Sequence, residues 1–258
     1  MKPTIAITII GHNEADHLRE LLPRLRWVDE VIYVDCSSSD DSLEIARDMG
    51  CKTFARPNLS NLNVNKAFAI EQATADWIFY LDPDERIPEP LQQEILETIA
   101  APGAFVAFRV NRRNFYFGRW LRHGSQYPDT QLRLFKRGKA RFPQRHVHEK
   151  LAVDGPIGKL KQDMHHYPYL TVEQYLQKFN FYTTFETRYM WENGMRPSFW
   201  NGWRFLFWKP LNRFFRRYFL KRGFLDGLPG LFAAQFDALN FVVRYMKLWD
   251  INRREHHA

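Results

Sequence analysis

Short apolar runs alternate with amphipathic segments along the first hundred residues of the chain. Each run is too short for a helix and is rich in β-branched and aromatic residues, which is typical of buried strands. The runs predict strands at residues 4–10, 30–35, 51–55 and 77–81. Leucine spacing and capping residues predict helices after residue 14, at 42–49 and at 65–73. Strands separated by helices of about ten residues predict βαβ units, and therefore an α/β fold with a mostly parallel sheet flanked by helices.

Composition and charge differ between the N-terminal and C-terminal parts of the chain. Its 258 residues are enough for one α/β domain with appendages. We expect that domain at residues 1–165 and a helical, basic and aromatic extension at residues 166–258. Residues 1–100 carry nine Lys/Arg against eighteen Asp/Glu, whereas residues 195–258 carry twelve against four. Such a division favours partners that are anionic, that bring their own cations, or both.

Acidic side chains follow the predicted strands at their carboxyl ends. Glu14 comes just after the first strand, Asp35 ends the second, and the sequence DPDE at residues 82–85 follows the fourth. Ligands of parallel sheets bind beyond this edge, so these acids should face one crevice. Hard divalent cations such as Mg²⁺ or Mn²⁺ take carboxylate oxygens, and in such sites the metal usually carries substrate phosphates as well. Taken alone, DPDE has a second interpretation, an acidic turn that caps the next helix.

Several motifs in order along the chain resemble the family 2 glycosyltransferases, which have the Rossmann-like GT-A fold. The early ones are Asn13-Glu14, VDCSSSD at 34–40, Lys66 at a helix start and LDPDE at 81–85. Later motifs are similar to the lipopolysaccharide-core glucosyltransferases of the WaaE/KdtX type: YPD at 127–129, LRLFKR at 132–137 and VHE at 147–149. The resemblance covers nearly the whole chain. Its departures include the loop at residues 58–63, which lacks the usual glycine and so leaves the preferred sugar nucleotide open.

The resemblance implies roles in binding a UDP-sugar donor for residues of the first half. These are Asp35 at the base or ribose, Asp82 at the ribose or a bridging water, Lys66 at the base or pyrophosphate, Glu85 near the donor sugar, and Glu14 beside them. Asp84 is the best direct ligand for Mg²⁺ or Mn²⁺, which would stabilise charge on the departing diphosphate, with Asp82 and His148 as further members of the metal site. As single residues, Asp35 and Glu14 also suit helix caps or first turns, and Lys66 suits a solvated surface.

Inverting transfer in this family needs a base for the acceptor hydroxyl. Glu149 in the VHE motif follows the predicted strand at 132–136, at about the place where the family carries a catalytic acid. Asp129 in the YPD motif is the competing candidate. His148 has two interpretations, a metal ligand or a structural hydrogen-bond donor.

Three other classes of protein fit parts of the sequence. A sugar-1-phosphate nucleotidyltransferase needs a glycine-rich basic loop after its first strand, but residues 11–14 read GHNE. A nucleic-acid binder would fit the net charge of +8, yet the basic residues form no recognisable nucleic-acid motif, so we expect no nucleic-acid partner. A non-catalytic sugar-nucleotide-binding protein is the third alternative.

The C-terminal extension has the composition of a membrane-surface segment. Aromatic and cationic residues interleave between residues 199 and 224, as in WKPLNRFFRRYF at 208–219, which favours a helix lying in the bilayer interface. Ordinary core packing with solvated arginines is the alternative. Residues 228–248 have apolar positions at helical spacing, and packing on the α/β domain or between subunits of a homo-oligomer explains them better than a bilayer span does.

Location and acceptor follow from these features together with the resemblance. The longest runs without charge have eleven residues, which is too short to cross a bilayer, and no secretory signal precedes the first strand. We expect a cytoplasmic protein peripheral to the inner face of the cytoplasmic membrane. Its acceptor would be an anionic lipid-linked saccharide such as the lipopolysaccharide inner core; a polyprenyl-linked glycan or a protein is the alternative.

Overall fold

The computed structural model describes residues 2–59, 61–143 and 150–257. Contacts within the chain define two compact units. The first comprises Met1–Arg112 and Thr130–His166, and the second comprises Arg113–Asp129 and Tyr167–Ala258. The second unit therefore includes a short internal segment, residues 113–129, as well as the C-terminal extension that the sequence indicates.

Parallel strands form one half of the sheet in the first unit. Strand β1 (Ile5–Gly11) pairs in parallel with β2 (Glu30–Cys36) and with β4 (Trp77–Tyr80), and β2 pairs in parallel with β3 (Lys52–Arg56). All of β1 is buried. Its odd-numbered isoleucines enter one hydrophobic core and its even-numbered positions enter a second core on the opposite face. Because both faces are covered, this strand is a continuous apolar run rather than an alternating one.

Helices connect these strands and cover the two faces of the sheet. They are α1 (Ala15–Leu21), a 3₁₀ turn (Leu22–Leu25), α2 (Ser42–Asp48), α3 (Leu62–Glu71) and α4 (Glu89–Ala100). The predicted order of strands and helices is confirmed. Helix α3 begins three residues earlier than predicted, because the side chain of Asn61 accepts a hydrogen bond from the backbone N–H of Asn63 and caps the helix.

The other half of the sheet begins where β8 (Asp129–Lys136) pairs antiparallel with β4. The remaining strands are β5 (Glu85–Arg86), β6 (Ala107–Tyr116), β7 (Arg119–Trp120), β9 (Ala140–Arg141), β10 (Ala152–Val153) and β11 (Ile157–Tyr169). Among the described residues, the strand order is β3-β2-β1-β4-β8-β6-β11-β5, and β7 pairs with β6. The short strand β5 pairs antiparallel with β11, which places His166 opposite Glu85.

Helices make up most of the second unit, as the sequence predicts for the extension. They are α5 (Val172–Glu192), α6 (Phe199–Trp203), a π-helical turn (Arg204–Trp208), α7 (Lys209–Phe215), a second π-helical turn (Arg216–Leu220), a 3₁₀ turn (Gly223–Asp226) and α8 (Gly227–His257). Helix α8 packs against α5 and α7. A small core of Met190, Phe205, Tyr245 and Leu248 joins these helices. None of the helices in the described part of the chain is both long enough and apolar enough to traverse a bilayer.

Candidate active site

The loops after β1 and β2 are tied to each other at the carboxyl edge of the parallel strands. Asn13 has a left-handed backbone conformation, with φ of 57°, and its side-chain oxygen accepts a hydrogen bond of 2.7 Å from the backbone N–H of Ser39. The hydroxyl of Ser38 in turn accepts one of 2.9 Å from the N–H of Asn13. At Gly11 a Cβ atom would lie 2.9 Å from the hydroxyl oxygen of Tyr33, so a glycine is needed for this close approach. These contacts fix the floor of the predicted crevice.

Glu14 follows β1 and Asp35 lies near the end of β2, at the carboxyl edge where the sequence predicts them. The buried carboxylate of Asp35 accepts hydrogen bonds from the N–H of Ser38 at 3.0 Å and from the hydroxyl of Tyr33 at 3.4 Å. Asp35 therefore stabilises the turn after β2 and does not cap helix α2. Glu14 occupies the N-cap position of α1, and its carboxylate lies 4.0 Å from the ring of His17.

The carboxylate of Asp82 lies among cationic and aromatic side chains from three elements. It accepts a hydrogen bond of 2.7 Å from Arg133 on β8 and one from the hydroxyl of Tyr80, and the Lys66 ammonium of α3 lies 3.9 Å away. Burial disfavours the charged form of Asp82, but the charges of Arg133 and Lys66 outweigh it and hold the pKa of Asp82 below its ordinary value. Burial lowers the pKa of the Lys66 amine, and the neighbouring Asp82 opposes that shift.

Glu85 belongs to the same cluster as Asp82. Its side chain is fully buried, and one carboxylate oxygen accepts hydrogen bonds from Arg133 at 2.6 Å and from Arg112 at 3.0 Å. Its other oxygen accepts one from the N–H of Asp82 at 3.1 Å. In this arrangement Glu85 holds two guanidinium groups and the backbone of the acidic turn in place. The cluster thus combines three cations with two carboxylates at the end of β4.

The side chain of Asp84 has a different neighbour from the side chain of Asp82. Its carboxylate lies 3.5 Å from Nε2 of His166, and both side chains are largely buried. The antiparallel pairing of β5 with β11 brings this histidine to the acidic turn. The carboxylate of Asp84 suits Mg²⁺ or Mn²⁺, and the imidazole of His166 is an acceptable though less typical ligand for Mn²⁺. With diphosphate oxygens and water completing the coordination, this pair fits the metal that the family resemblance implies. Asp82 fits less well as a direct ligand because two cations and a phenol already engage it.

A complete protein-only metal site is not present in the part of the chain that the structure describes: no group of three or more His, Cys, Asp or Glu side chains could hold an ion there. His148 and Glu149, the predicted metal ligand and base, lie outside the described residues. Asp129, the competing base, belongs to the second unit, where its carboxylate accepts a hydrogen bond of 3.2 Å from Asn114.

Three residues of this cluster received no role from the sequence: Tyr80, Arg112 and Arg133. From the sequence we expect His166 to be structural or to face the acceptor, not to lie beside the acidic turn. Arg133 belongs to the LRLFKR motif at residues 132–137, on which the resemblance partly rests. A charged residue within the apolar run LRLF indicates a buried ion pair, so the sequence could have identified Arg133. His166 gave no such signal, because its position next to Asp84 depends on the pairing of β11 with β5, two strands that are distant in the sequence.

Comparison with known proteins bears on this site directly. The model of the family "Glycosyl transferase family 2" matches residues 6–152, more than half of the chain and all elements of the cluster up to β8. The chain belongs to glycosyl transferase family 2. Its α/β sheet flanked by helices, with a C-terminal helical extension, agrees with the GT-A fold expected of this family.

Relatives of this family 2 glycosyltransferase match it over most of their length. It is 28% identical over 254 residues to the lipopolysaccharide core biosynthesis glycosyltransferase LpsC of Rhizobium meliloti, covering 96% of this chain and 93% of LpsC. It is also 28% identical over 244 residues to the uncharacterized glycosyltransferase RT0209 of Rickettsia typhi, covering 89% and 83% of the two chains.

Solved structures resemble the chain only in part. Glucosyl-3-phosphoglycerate synthase from Mycobacterium tuberculosis, crystallised with Mn²⁺, UDP and glucosyl-3-phosphoglycerate, is 19% identical with a TM-score of 0.35, covering 45% of each chain. Mannosyl-3-phosphoglycerate synthase from Rubrobacter xylanophilus is 16% identical with a TM-score of 0.36, covering 43% of this chain and 41% of the other. No property of the present site is taken from either.

Proposed function

We propose that this protein is an inverting glycosyltransferase that moves a hexose, glucose from UDP-glucose, to a lipid-linked saccharide of the lipopolysaccharide inner core. The observation that carries the reaction class is the cluster at the end of β4, where Asp82 and Asp84 lie beside three cations and His166. Support for the acceptor comes from the LpsC relative, which takes part in lipopolysaccharide core biosynthesis. Alternative acceptors are a polyprenyl-linked glycan or a protein.

The cationic residues suit the diphosphate of the donor. Lys66 and Arg133 are held by Asp82, and Arg112 is held by Glu85, so the three side chains are oriented before a ligand arrives. Preorganised cations stabilise a negative charge that grows during the reaction without further rearrangement. Burial lowers the pKa of Lys66, and the negative charge of a bound diphosphate would oppose this shift. In this proposal Asp35 and Glu14 bind the nucleoside end of the donor, while Asp82 and Glu85 orient the cations.

A divalent ion, Mg²⁺ or Mn²⁺, would be held by Asp84 and His166, with Asp82 and His148 as further candidates. When bound, such an ion acts as a Lewis acid toward the departing nucleoside diphosphate. The residues of the chain supply the rest of the chemistry. Asp84 and His166 would hold the ion, and Arg112 and Arg133 would share the negative charge of the leaving group.

The base would remove the proton from the acceptor hydroxyl as that oxygen attacks the anomeric carbon. Glu149 is our preferred candidate for this role, and Asp129 is the alternative. Either carboxylate would take the proton in a single displacement, with the nucleoside diphosphate leaving from the opposite face of the sugar.

Transfer of the hexose to a lipid-linked acceptor would take place at the inner face of the cytoplasmic membrane.

A homo-oligomer through the C-terminal helices is a further part of this proposal. Between residues 228 and 249 of α8 the exposed side chains, apart from that of Gln235, are apolar: Leu228, Phe232, Leu239, Met246 and Trp249. If each leaves on the order of 100 Å² open, two copies would bury about 1,000 Å², near the lower limit for a specific interface.

Donor hydrolysis tests the proposed reaction without knowledge of the acceptor. UDP-, GDP- and dTDP-sugars should be offered with Mg²⁺, with Mn²⁺ and with EDTA, and the released nucleotide measured. Hydrolysis of UDP-glucose that needs a divalent ion is the expected result. Tight UDP binding without hydrolysis, and without transfer to lipopolysaccharide-core acceptors, would instead indicate the non-catalytic sugar-nucleotide-binding alternative.

A further inference from the structure

One helical run of the second unit exposes an unusual number of large apolar side chains. This run extends from residue 199 to residue 220. Its exposed apolar residues include six at intervals of four: Phe199, Trp203, Phe207, Leu211, Phe215 and Phe219, each between 48% and 79% exposed. Trp200, Trp208 and Leu220 flank them and are also exposed. A contiguous apolar surface of this kind marks a binding face.

The two π-helical turns explain why residues four apart stay on one face. In an α-helix with about 3.6 residues per turn, positions four apart drift by roughly 40° per step, so six of them would spiral around the helix. A π-helical turn holds about 4.4 residues and reverses this drift. The run alternates between the two forms, with π-helical turns at Arg204–Trp208 and Arg216–Leu220. The opposite drifts nearly cancel, and the six side chains form a straight stripe.

Charge identifies the partner of this stripe. Between Asn193 and Leu225 the sequence has eight Lys/Arg and no Asp or Glu. Arg213 and Arg217 pair with Asp237 of α8, at 3.4 and 2.8 Å, and so attach the run to the rest of the unit. Other cations of the same region are exposed to solvent: Arg204, Arg216, Lys221 and Arg222. Tryptophan, at positions 200, 203 and 208 here, favours the headgroup zone of a bilayer, and exposed cations favour anionic lipid.

Helix α8 of the same unit also exposes apolar side chains, but it differs from residues 199–220 in where its cations lie. Its exposed apolar positions recur along residues 228–249, but its cations there face inward. Arg244 pairs with Glu186 at 3.2 Å, and Lys247 donates hydrogen bonds to Asn180. An apolar stripe without exposed cations suits a protein partner, whereas the stripe on residues 199–220 has the composition of an interfacial membrane helix.

We propose that residues 199–220 dock in the plane of an anionic bilayer through the stripe, and that the two π-helical turns align the stripe for this purpose. The biological reason for docking rests on the proposed function, because a membrane-bound acceptor is then presented to the enzyme at the same surface. The docking itself depends only on the stripe and its cations. It is therefore testable separately from catalysis.

Vesicle flotation of the full chain tests the proposal. Wild-type protein should float with vesicles containing phosphatidylglycerol, and far less with phosphatidylcholine alone or in high salt. Replacing two stripe residues, Phe207→Ser with Phe215→Ser, should reduce binding at least tenfold. The matched control, Leu239→Ser with Met246→Ser on α8, removes similarly exposed apolar residues and should leave flotation unchanged. Arg204→Gln with Arg216→Gln should remove the preference for anionic vesicles.

Alignment of the stripe is tested by an exchange at constant composition. Phe207→Asn combined with Asn212→Phe moves one aromatic ring from the stripe to another exposed position and should weaken binding. Unchanged binding would show that composition alone matters and would overturn the role of the π-helical turns.

Absence of flotation in wild type, or equal loss in the α8 control, would overturn the docking proposal. The docking proposal would also be overturned if light scattering showed that the protein self-associates without any lipid and that the stripe variant abolishes this self-association. UDP-glucose hydrolysis in every variant reports separately on the proposed reaction.

Discussion

The imidazole of His166 lies 3.5 Å from the carboxylate of Asp84, although the two residues are far apart in the sequence. The antiparallel pairing of β5 with β11 creates this neighbourhood, because it sets His166 opposite Glu85. Asp82, only two residues from Asp84, instead contacts Lys66 and Arg133. The acidic turn therefore has two sides, one suited to a metal ion and the other to the cations that bind a diphosphate.

Asp84→Asn should nearly abolish turnover. Loss of a metal ligand removes stabilisation of the leaving diphosphate, and several kcal/mol of transition-state stabilisation is a reasonable magnitude. UDP-glucose turnover with added Mn²⁺ or Mg²⁺ is the measurement, and the melting temperature should stay near that of wild type. An active variant, together with undiminished wild-type activity in EDTA, would contradict the metal hypothesis.

His166→Asn should raise the concentration of metal ion needed for half-maximal activity, by about tenfold or more for loss of one ligand. The neighbouring His165→Asn is a matched control, because His165 lies on the same strand opposite Arg86 and its side chain alternates to the other face. A metal titration of turnover in both variants gives the comparison. Equal effects in the two variants would assign His166 a structural role.

Glu149→Gln should lower kcat by roughly 10²–10⁴-fold with little change in UDP affinity, as expected for a general base. Asp129→Asn should have a smaller effect, since the carboxylate of Asp129 already accepts a hydrogen bond from Asn114. Single-turnover transfer to an acceptor distinguishes the two residues. A larger loss in Asp129→Asn than in Glu149→Gln would transfer the role of base to Asp129.

Arg133→Met should destabilise the fold by roughly 3 kcal/mol, because it leaves the fully buried carboxylate of Glu85 with one fewer cation. The free energy of unfolding in urea measures this cost. Arg137→Met, at an exposed position just after the end of this strand, serves as the control and should change stability little. A cost below about 1 kcal/mol would mean that Arg112 alone compensates Glu85.

Stability should fall in acid partly through Asp82. Its pKa in the folded protein lies below its ordinary value of 3.8, so its contribution is fully present above that pH. The contribution is lost as the pH falls from 3.8 through the folded value, because the unfolded chain takes up the proton first. Urea unfolding across this range should give a flatter profile for Asp82→Asn than for wild type. A profile like that of wild type, or like that of the exposed-site control Asp48→Asn, would contradict this assignment.

The order of strands and helices in the first hundred residues could be predicted because it depends on local patterns. An apolar run such as β1 must be buried on both faces, and the residues that cap helices act within a few positions. The same logic locates Asp35 and the acidic turn at residues 82–85, since ligand sites of parallel sheets lie at strand ends. The sequence also identifies the aromatic and basic composition of residues 199–222.

The sequence by itself thus determined the α/β class, the edge of the sheet that carries the acids, and the helical nature of the C-terminal extension. Only the tertiary structure decided that Arg112, Arg133 and His166 complete the cluster, because antiparallel pairing between distant, partly charged strands leaves no periodic signal in the sequence. It also decided that Asp82 and Asp84 have different neighbours and that π-helical turns straighten the exposed stripe. These features depend on which side chains meet in space, and that is set by packing between elements rather than by any local pattern.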